Sequence, residues 1–597
     1  MKRGLKAIIS IVLCLSLVLP ISTSAFAYSN SASNAALGLF DTEKILRNVI
    51  VATWKALNPI LEDVVNGVAK AVPDCKDWVD YDKYKSENFF KGHDYFLDEP
   101  TKSSVWSLGY SQEILTPEDL STKGYPMAGY SLGKIAYEKY DDIKVRTICL
   151  DDGSSRGKVT FSVVDCVGLA NADVRGIRAG LSSFATANNI VSINVGASHT
   201  HSGLDTQGIW AKQPKATAVN ILNSLLNKPP KSGVDSYLME KIYKLTVKSV
   251  KDACNNMKQG ELTLATKDIS DYLNDKSYPD YFIKDLYRLR FDPYDGSKGT
   301  IIANFGAHPE SVGLTTDSFA GDKMSADFVP YIEEVVNDGG FNFIFIQGAI
   351  GSLISTNRTL SGDMIPDQDR YDSAVRYGQE IGYILLGMDY KTEQECYDYV
   401  VNKEREAADM AVSLGYTPWY ENWTVEGPPK AVEPILNIAF TDMVCPITNP
   451  LFVGIGKLGF TNDLLIKDSN NNVFTPTEIG YMEIGKNIKV LISPGETAPE
   501  LVIGGKTMTS EGSVSGGEFI YAPLRDIVGE DLIVFDVMND AAGYVIPDCD
   551  YGIGTLRYFD GKFSYNLDGI MSYGGNTASI FVGEFLALIE KMKSQSV

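Results

Sequence analysis

The stretch Val191-Ser-Ile-Asn-Val-Gly-Ala-Ser-His-Thr-His-Ser-Gly203 passes from an apolar, β-branched strand pattern straight into a polar loop carrying His199 and His201. The whole chain has four histidines, and two of them stand here, one residue apart. A third, His308, repeats the order of strand, glycine and histidine in Thr300-Ile-Ile-Ala-Asn-Phe-Gly-Ala-His-Pro-Glu310. Imidazole is the commonest protein ligand for zinc and the usual acid/base near neutral pH. Two separate strand ends that deliver scarce histidines point to a metal hydrolase.

Working outward, strands are expected near 159–165, 191–196, 300–305, 342–347, 487–493 and 531–537. Helices are expected near 172–187, 234–256, 324–337, 367–388 and 577–593. That alternation predicts an α/β fold with a large mixed sheet, partly parallel and flanked by helices. Three further strands run into loops with useful chemistry: Gln347-Gly-Ala-Ile-Gly-Ser352, Ser493-Pro-Gly-Glu-Thr497 and Asn539-Asp-Ala-Ala-Gly-Tyr-Val545. Open α/β sheets gather their sites beyond the carboxyl ends of strands, so the five loops are expected to converge.

Residues 1–27 read as a secretory signal: Lys2, Arg3 and Lys6, an apolar run from Ala7 to Ile21, then Ala25-Phe-Ala27 as a small-x-small cleavage site. The mature protein is therefore expected to be secreted, with no integral membrane segment. The formal charge is −22. Losing the three basic residues of the leader moves it to about −25, which argues against nucleic acid as a partner. Of eight cysteines, Cys14 lies in the leader; the other seven are scattered, without a CxxC pair. Neither a disulfide framework nor a cysteine-rich zinc site is indicated. In 28–103, a helical amino-terminal extension and connector, Leu46, Ile50, Trp54, Leu57, Leu61, Val64, Val65, Val68 and Val72 mark one helix face, with a kink expected at Asn58-Pro59. That helix reads as a docking or inhibitory segment, or as a lid facing lipid. His93, in the connector, reads as an incidental surface histidine.

From about residue 104 to 597, the expected catalytic domain, the sequence resembles the neutral ceramidase family, the neutral/alkaline non-lysosomal ceramidases. The resemblance rests on Met127-Ala-Gly-Tyr130, Asp142-Ile-Lys-Val-Arg-Thr-Ile-Cys-Leu-Asp-Asp-Gly153, Ser198-His-Thr-His-Ser-Gly203, Asn304-Phe-Gly-Ala-His-Pro309, Gln347-Gly-Ala-Ile-Gly351, Ser493-Pro-Gly-Glu496 and Ala542-Gly-Tyr-Val545, in the family's order. It implies a zinc amidase cleaving the N-acyl bond of a ceramide-like lipid amide, with transient contact at a lipid interface. By motif, the zinc ligands would be His199, His308, Glu496 and Tyr544. His201 would face the substrate as acid/base or oxyanion group, although its spacing also allows ligation. Gln347, Gly348 and Tyr573 would contact substrate.

The departures are local. Where the family reads Gly-Asp-Val-Ser-Pro-Asn, with its serine proposed as a nucleophile, Gly351 is followed by Ser-Leu-Ile-Ser-Thr-Asn357; without a gap that serine becomes Ile354, with one inserted residue Ser355 and Asn357 realign, and Ser352 replaces the aspartate either way. An arginine of the family is missing from Asn274-Asp-Lys-Ser-Tyr-Pro279, its tyrosine-glutamate-glycine reads Leu567-Asp568-Gly569, and its carboxyl-terminal immunoglobulin-like domain is not expected here. Neither Ser352 nor Ser355 has a histidine in its own loop, so the expected nucleophile is water activated by zinc. Blander readings stand beside these. Glu496 could cap a helix starting at Pro499, and Asp165 could be a buried structural acid or support the metal site. Gly129-Tyr-Ser-Leu-Gly133 matches a nucleophile elbow only by letter, since no strand precedes it. Two rival functions remain: a ceramidase-like protein that binds lipid or glycan without turnover, and a hydrolase of a different ester or amide.

Overall fold

The computed structural model describes residues 42–71, 78–130, 132–210, 219–276 (less 221, 224, 225, 227 and 229), 281–312, 323–351, 353–356, 371–389, 395, 399, 428–553 and 556–596 (less 560, 561, 566 and 567). The leader at 1–27, Ser131, Ser352 and Asn357 lie outside these residues.

Eight strands form the body of the larger sheet: β1 (Trp106–Ile114), β2 (Lys144–Asp151), β3 (Lys158–Val164), β4 (Ile190–Ala197), β5 (Lys258–Asp268), β6 (Asp285–Pro293), β7 (Gly299–Phe305) and β8 (Phe341–Gln347). Their order is β8-β7-β6-β5-β1-β2-β3-β4, with the short strand Lys430–Ala431 added beside β5. Only β3/β4 and β7/β8 run parallel; these pairs end in the histidine loops and in Gln347. A second sheet contains β9 (Leu436–Ile447), β10 (Val473–Ile484), β11 (Ile488–Ile492) and β12 (Leu532–Phe535), with β11 and β12 parallel.

The two sheets lie face to face between helical layers. Along β7 and β8 the side chains alternate. Ile301, Ala303, Phe305, Phe343 and Phe345 pack against α4 (Val329–Asp338) and α5 (Asp372–Gly387), while Ile302, Ile344 and Ile346 meet Val490, Ile492 and Ile533 of the second sheet. The second sheet turns Tyr481, Leu491 and Val534 outward onto α7 (Thr577–Lys593). Asn304 stitches the sheets together: its amide donates to Ile346 O at 3.0 Å and to Val534 O at 2.9 Å. Behind β2 and β4 pack α2 (Asn171–Ala179) and α3 (Ser236–Asn255). The expected α/β class, large mixed sheet and flanking helices are all present.

Some local expectations need correcting. The single helix expected at 172–187 is two, Asn171–Ala179 and Ser182–Ala187, interrupted at Gly180, a poor helix former. The helix expected from 324 starts at Val329, because Lys323–Met324 pairs with Glu138–Lys139 instead. His93 is not a surface residue: it is 5% exposed, its N–H donates to Ile438 O at 2.7 Å and its Nδ1 accepts from Ile438 N. Asp165 is wholly buried and serves Arg146, whose guanidinium lies 2.8 Å from Asp165 and 2.7 Å from Glu333 of α4.

The amino-terminal helix α1 (Thr42–Ala71) continues through Pro59. It packs on α6 (Pro450–Leu458) and on the strand Leu556–Phe559. Val65 and Ala69 are buried, Val64 and Ile60 are exposed, and Asn58 Oδ1 accepts from Ile553 N at 3.0 Å. Among the described residues no helix is long and apolar enough to cross a membrane.

Candidate metal centre

The strand ends converge as the sequence suggests. After β4 the chain turns with His199 at φ 67°, a left-handed conformation that bulky residues seldom adopt. The turn directs the ring inward and lets Nδ1 meet Val167 O at 2.6 Å. After β7, His308 places Nδ1 2.5 Å from Ile354 O. A carbonyl can only accept, so in both rings Nδ1 carries the proton and Nε2 presents a bare lone pair in the neutral imidazole. His201 is fixed in the same sense by a carboxylate: its Nδ1 lies 2.9 Å from Glu310 Oε1.

The three Nε2 edges face one another. His201 and His199 Nε2 are 3.2 Å apart, and ligand atoms of His199, His201 and His308 all lie within 4.8 Å of each other. Glu496 joins them from the second sheet, with Oε2 3.2 Å from His308 Nε2 and 3.6 Å from His199 Nε2. Its short strand Glu496–Thr497 pairs in parallel with Tyr544–Val545, setting Glu496 beside the buried Tyr544. Glu496 makes no helix cap: the helix Glu500–Ile503 has Pro499 at its N-cap and no side-chain cap bond.

The electrostatics suit a cation. Burial drives His199 down to about 3, so this imidazole stays neutral. Burial opposes charge on Glu496 too, but His199, His308 and His201 outweigh it and hold the carboxyl at about 2. Burial also disfavours a charged His308; its bond to Glu496 and the nearby Glu310 carboxylate prevail and raise it. Imidazole lone pairs, one carboxylate and one phenol in a buried cluster form a donor set that a borderline ion such as zinc accepts. The residues therefore fit a metal ion.

Around this cluster, Gln347 at the end of β8 donates to Ser198 O at 3.1 Å and to Ala307 O at 2.9 Å, and accepts from Ala307 N. One amide thereby ties the two histidine loops together. Gly348 lies where a Cβ would come within 2.6 Å of Gly306 N, so the turns after β7 and β8 can touch only because side chains are missing. Ser355 pairs through its backbone with His308 and buries its hydroxyl, which has no hydrogen-bond partner among the described residues. Tyr573 is buried and its hydroxyl has no hydrogen-bond partner among the described residues; the acids that act on it, Asp540 and Asp463, do not belong to the histidine cluster.

Two participants escaped the reading of the sequence. Glu310 bridges His201 and Lys276, whose Nζ lies 2.6 Å from Oε2. Lys276 stands in the segment where the resemblance leaves an arginine missing. Glu310 follows His308 by two residues in His-Pro-Glu, a signal that was present but carried no partner in the local sequence. Gly129, at φ 115°, presses against the His201 backbone, and the Tyr130 ring meets His201 edge-on at 5.8 Å.

No family model and no curated protein matches the chain. Among solved structures it is similar to the neutral ceramidase from Pseudomonas aeruginosa, at 15% identity and a TM-score of 0.52, over 82% of this chain and 75% of that one. The fold is neutral ceramidase-like. A ceramidase complexed with C2 aligns over 82% of this chain and 76% of its own, at 15% identity and a TM-score of 0.49.

Proposed function

We propose that this chain is a secreted zinc-dependent amidohydrolase that cleaves an N-acyl, ceramide-like lipid amide. The observation that carries the reading is the convergence of the His199, His201 and His308 ligand atoms, within 4.8 Å of one another, with Glu496, at strand ends of a ceramidase-like fold. His199, His308, Glu496 and Tyr544 would hold the ion. Bound zinc supplies Lewis acidity, making water nucleophilic near neutral pH and polarising a carbonyl.

The remaining steps belong to side chains. His201 presents Nε2 with its tautomer locked by Glu310, so it can take a proton from the attacking water and return it to the departing amine nitrogen. The Glu310 carboxylate, kept ionised beside Lys276, balances the imidazolium formed on the way. Ser355 meets no base, so it is proposed as a hydroxyl for substrate and not as the nucleophile. Gln347 and Gly348 hold the loops in register, and Tyr573 is retained as a substrate-side residue only through the family motif. Residues 1–27 are proposed as the export signal, 28–103 as a docked extension and 104–597 as the catalytic unit.

Metal analysis and fluorescent-ceramide turnover on one preparation test the reading. About one zinc per chain is expected, lost in both His199→Ala and His308→Ala, since too few donors remain. Full zinc content in both variants overturns the ligand set. Lys276 in place of the family's arginine favours a second reading, in which the chemistry is kept but another ester or amide is the substrate. Bound zinc without ceramide turnover selects it.

A further inference from the structure

Cys149 and Cys254 serve none of the chemistry above. Cys149 sits within β2 and Cys254 in the last turn of α3; both are buried, in the core between that helix and the larger sheet. Their sulfurs are 2.9 Å apart. That is nearer than two unbonded sulfur atoms rest, and short of contact only by the shift needed to reach the ~2.05 Å of a covalent bond. The approach is built into the backbone. Gly109 of β1 pairs with Cys149, and a Cβ on Gly109 would stand 1.9 Å from Ala253 O. The missing side chain lets the end of α3 settle directly onto the strands, bringing Cys254 down over Cys149.

We propose that Cys149 and Cys254 form a disulfide in the mature protein. In this structure both are free thiols, as are the buried Cys166, Cys445 and Cys549, none of which lies beside another cysteine among the described residues. An exported protein matures where disulfides persist. The bond forms by exchange with a disulfide oxidant during folding, before the helix closes over the strand. One thiolate attacks the oxidant's disulfide, making a mixed disulfide and releasing the first oxidant thiol. The second thiolate attacks the protein sulfur of that intermediate, forming the Cys149–Cys254 bond and expelling the second oxidant thiol. Two protein thiols are thereby oxidised, the oxidant's disulfide is reduced, and the two protons pass to the oxidant thiols. The closed loop spans 105 residues of sequence separation and includes His199 and His201.

The test uses the full chain, refolded in oxidised and reduced glutathione, denatured without reductant, alkylated and digested with trypsin. Cys149 falls in the tryptic peptide 147–156 and Cys254 in 252–258. A single cross-linked species of these two peptides is expected, separating into both on reduction and vanishing in Cys254→Ser. Complete alkylation of both cysteines in the unreduced protein overturns the proposal. So does a cross-link joining Cys149 to any other cysteine. The map is read on denatured protein, so it does not depend on a variant's folding.

Discussion

Replacing Glu310 by glutamine removes one charge and no volume, at the point where the site is held from behind. In the parent, Oε1 accepts from His201 Nδ1 at 2.9 Å and Oε2 accepts from Lys276 Nζ at 2.6 Å. Both partners are donors. A glutamine has one oxygen, so one donor must face its NH2 group. If the oxygen stays on Lys276, the imidazole is driven to the other tautomer, with the proton on Nε2, aimed at His199 Nε2. The lone pair that would serve as base or ligand is then lost. Groups that orient an imidazole in this way are worth 10–100-fold in metal affinity or activity by general experience, about 1.4–2.8 kcal/mol. Glu310→Gln should therefore lose roughly that factor in amide hydrolysis or zinc affinity. With four histidines in the chain, long-range 15N–1H spectra can also read the His201 tautomer directly. Parent-like turnover and zinc affinity with His201 still protonated at Nδ1 would refute the reasoning.

Arg146→Met leaves Asp165 buried without its cation and Glu333 with Lys144 alone, and should cost about 3–5 kcal/mol of stability in denaturant titration; an unchanged midpoint would show that the network is not needed. His93 has its pKa lowered to about 4 from 6.5, by burial first and by Arg156 second. The unfolded chain therefore takes up this proton at a higher pH than the folded one, so the contribution is complete above about 6.5 and is lost as pH falls towards about 4, an effect of about 3 kcal/mol. His93→Asn should flatten that part of the pH–stability profile, and an equal acid slope in both proteins would count against it.

The strands that lead into the site were legible because they are parallel pairs buried on both faces, short runs rich in Val, Ile and Phe with only a few small polar residues, two of them leading through glycine to histidine. The antiparallel strands were less so. Lys258–Asp268 carries four charged residues among its eleven, and Val473–Ile484 is interrupted by Pro476 and Gly480, patterns that resemble loops until a neighbouring strand is known. That there are two sheets could not be read at all, since it depends on which strands pair across hundreds of residues. The same limit hid the support of His201: Glu310 and Lys276 are 34 residues apart. His93 was misjudged because its burial comes from Ile438, 345 residues away, and not from its own polar surroundings.

The proposed donors of the metal centre come from different halves of the sandwich. His199 and His308 extend from strands of the larger sheet, whereas Glu496 and Tyr544 follow strands of the smaller one. An ion grasped from both sides would act as a clasp, its binding energy inseparable from the docking of the two sheets. By linkage, free ion at 1,000 times its dissociation constant adds about 4 kcal/mol to the closed arrangement. Shear between the sheets would loosen the ion by the same amount that losing the ion loosens the sheets. Affinity at the centre and mechanical stiffness of the whole body would then be two measurements of one quantity.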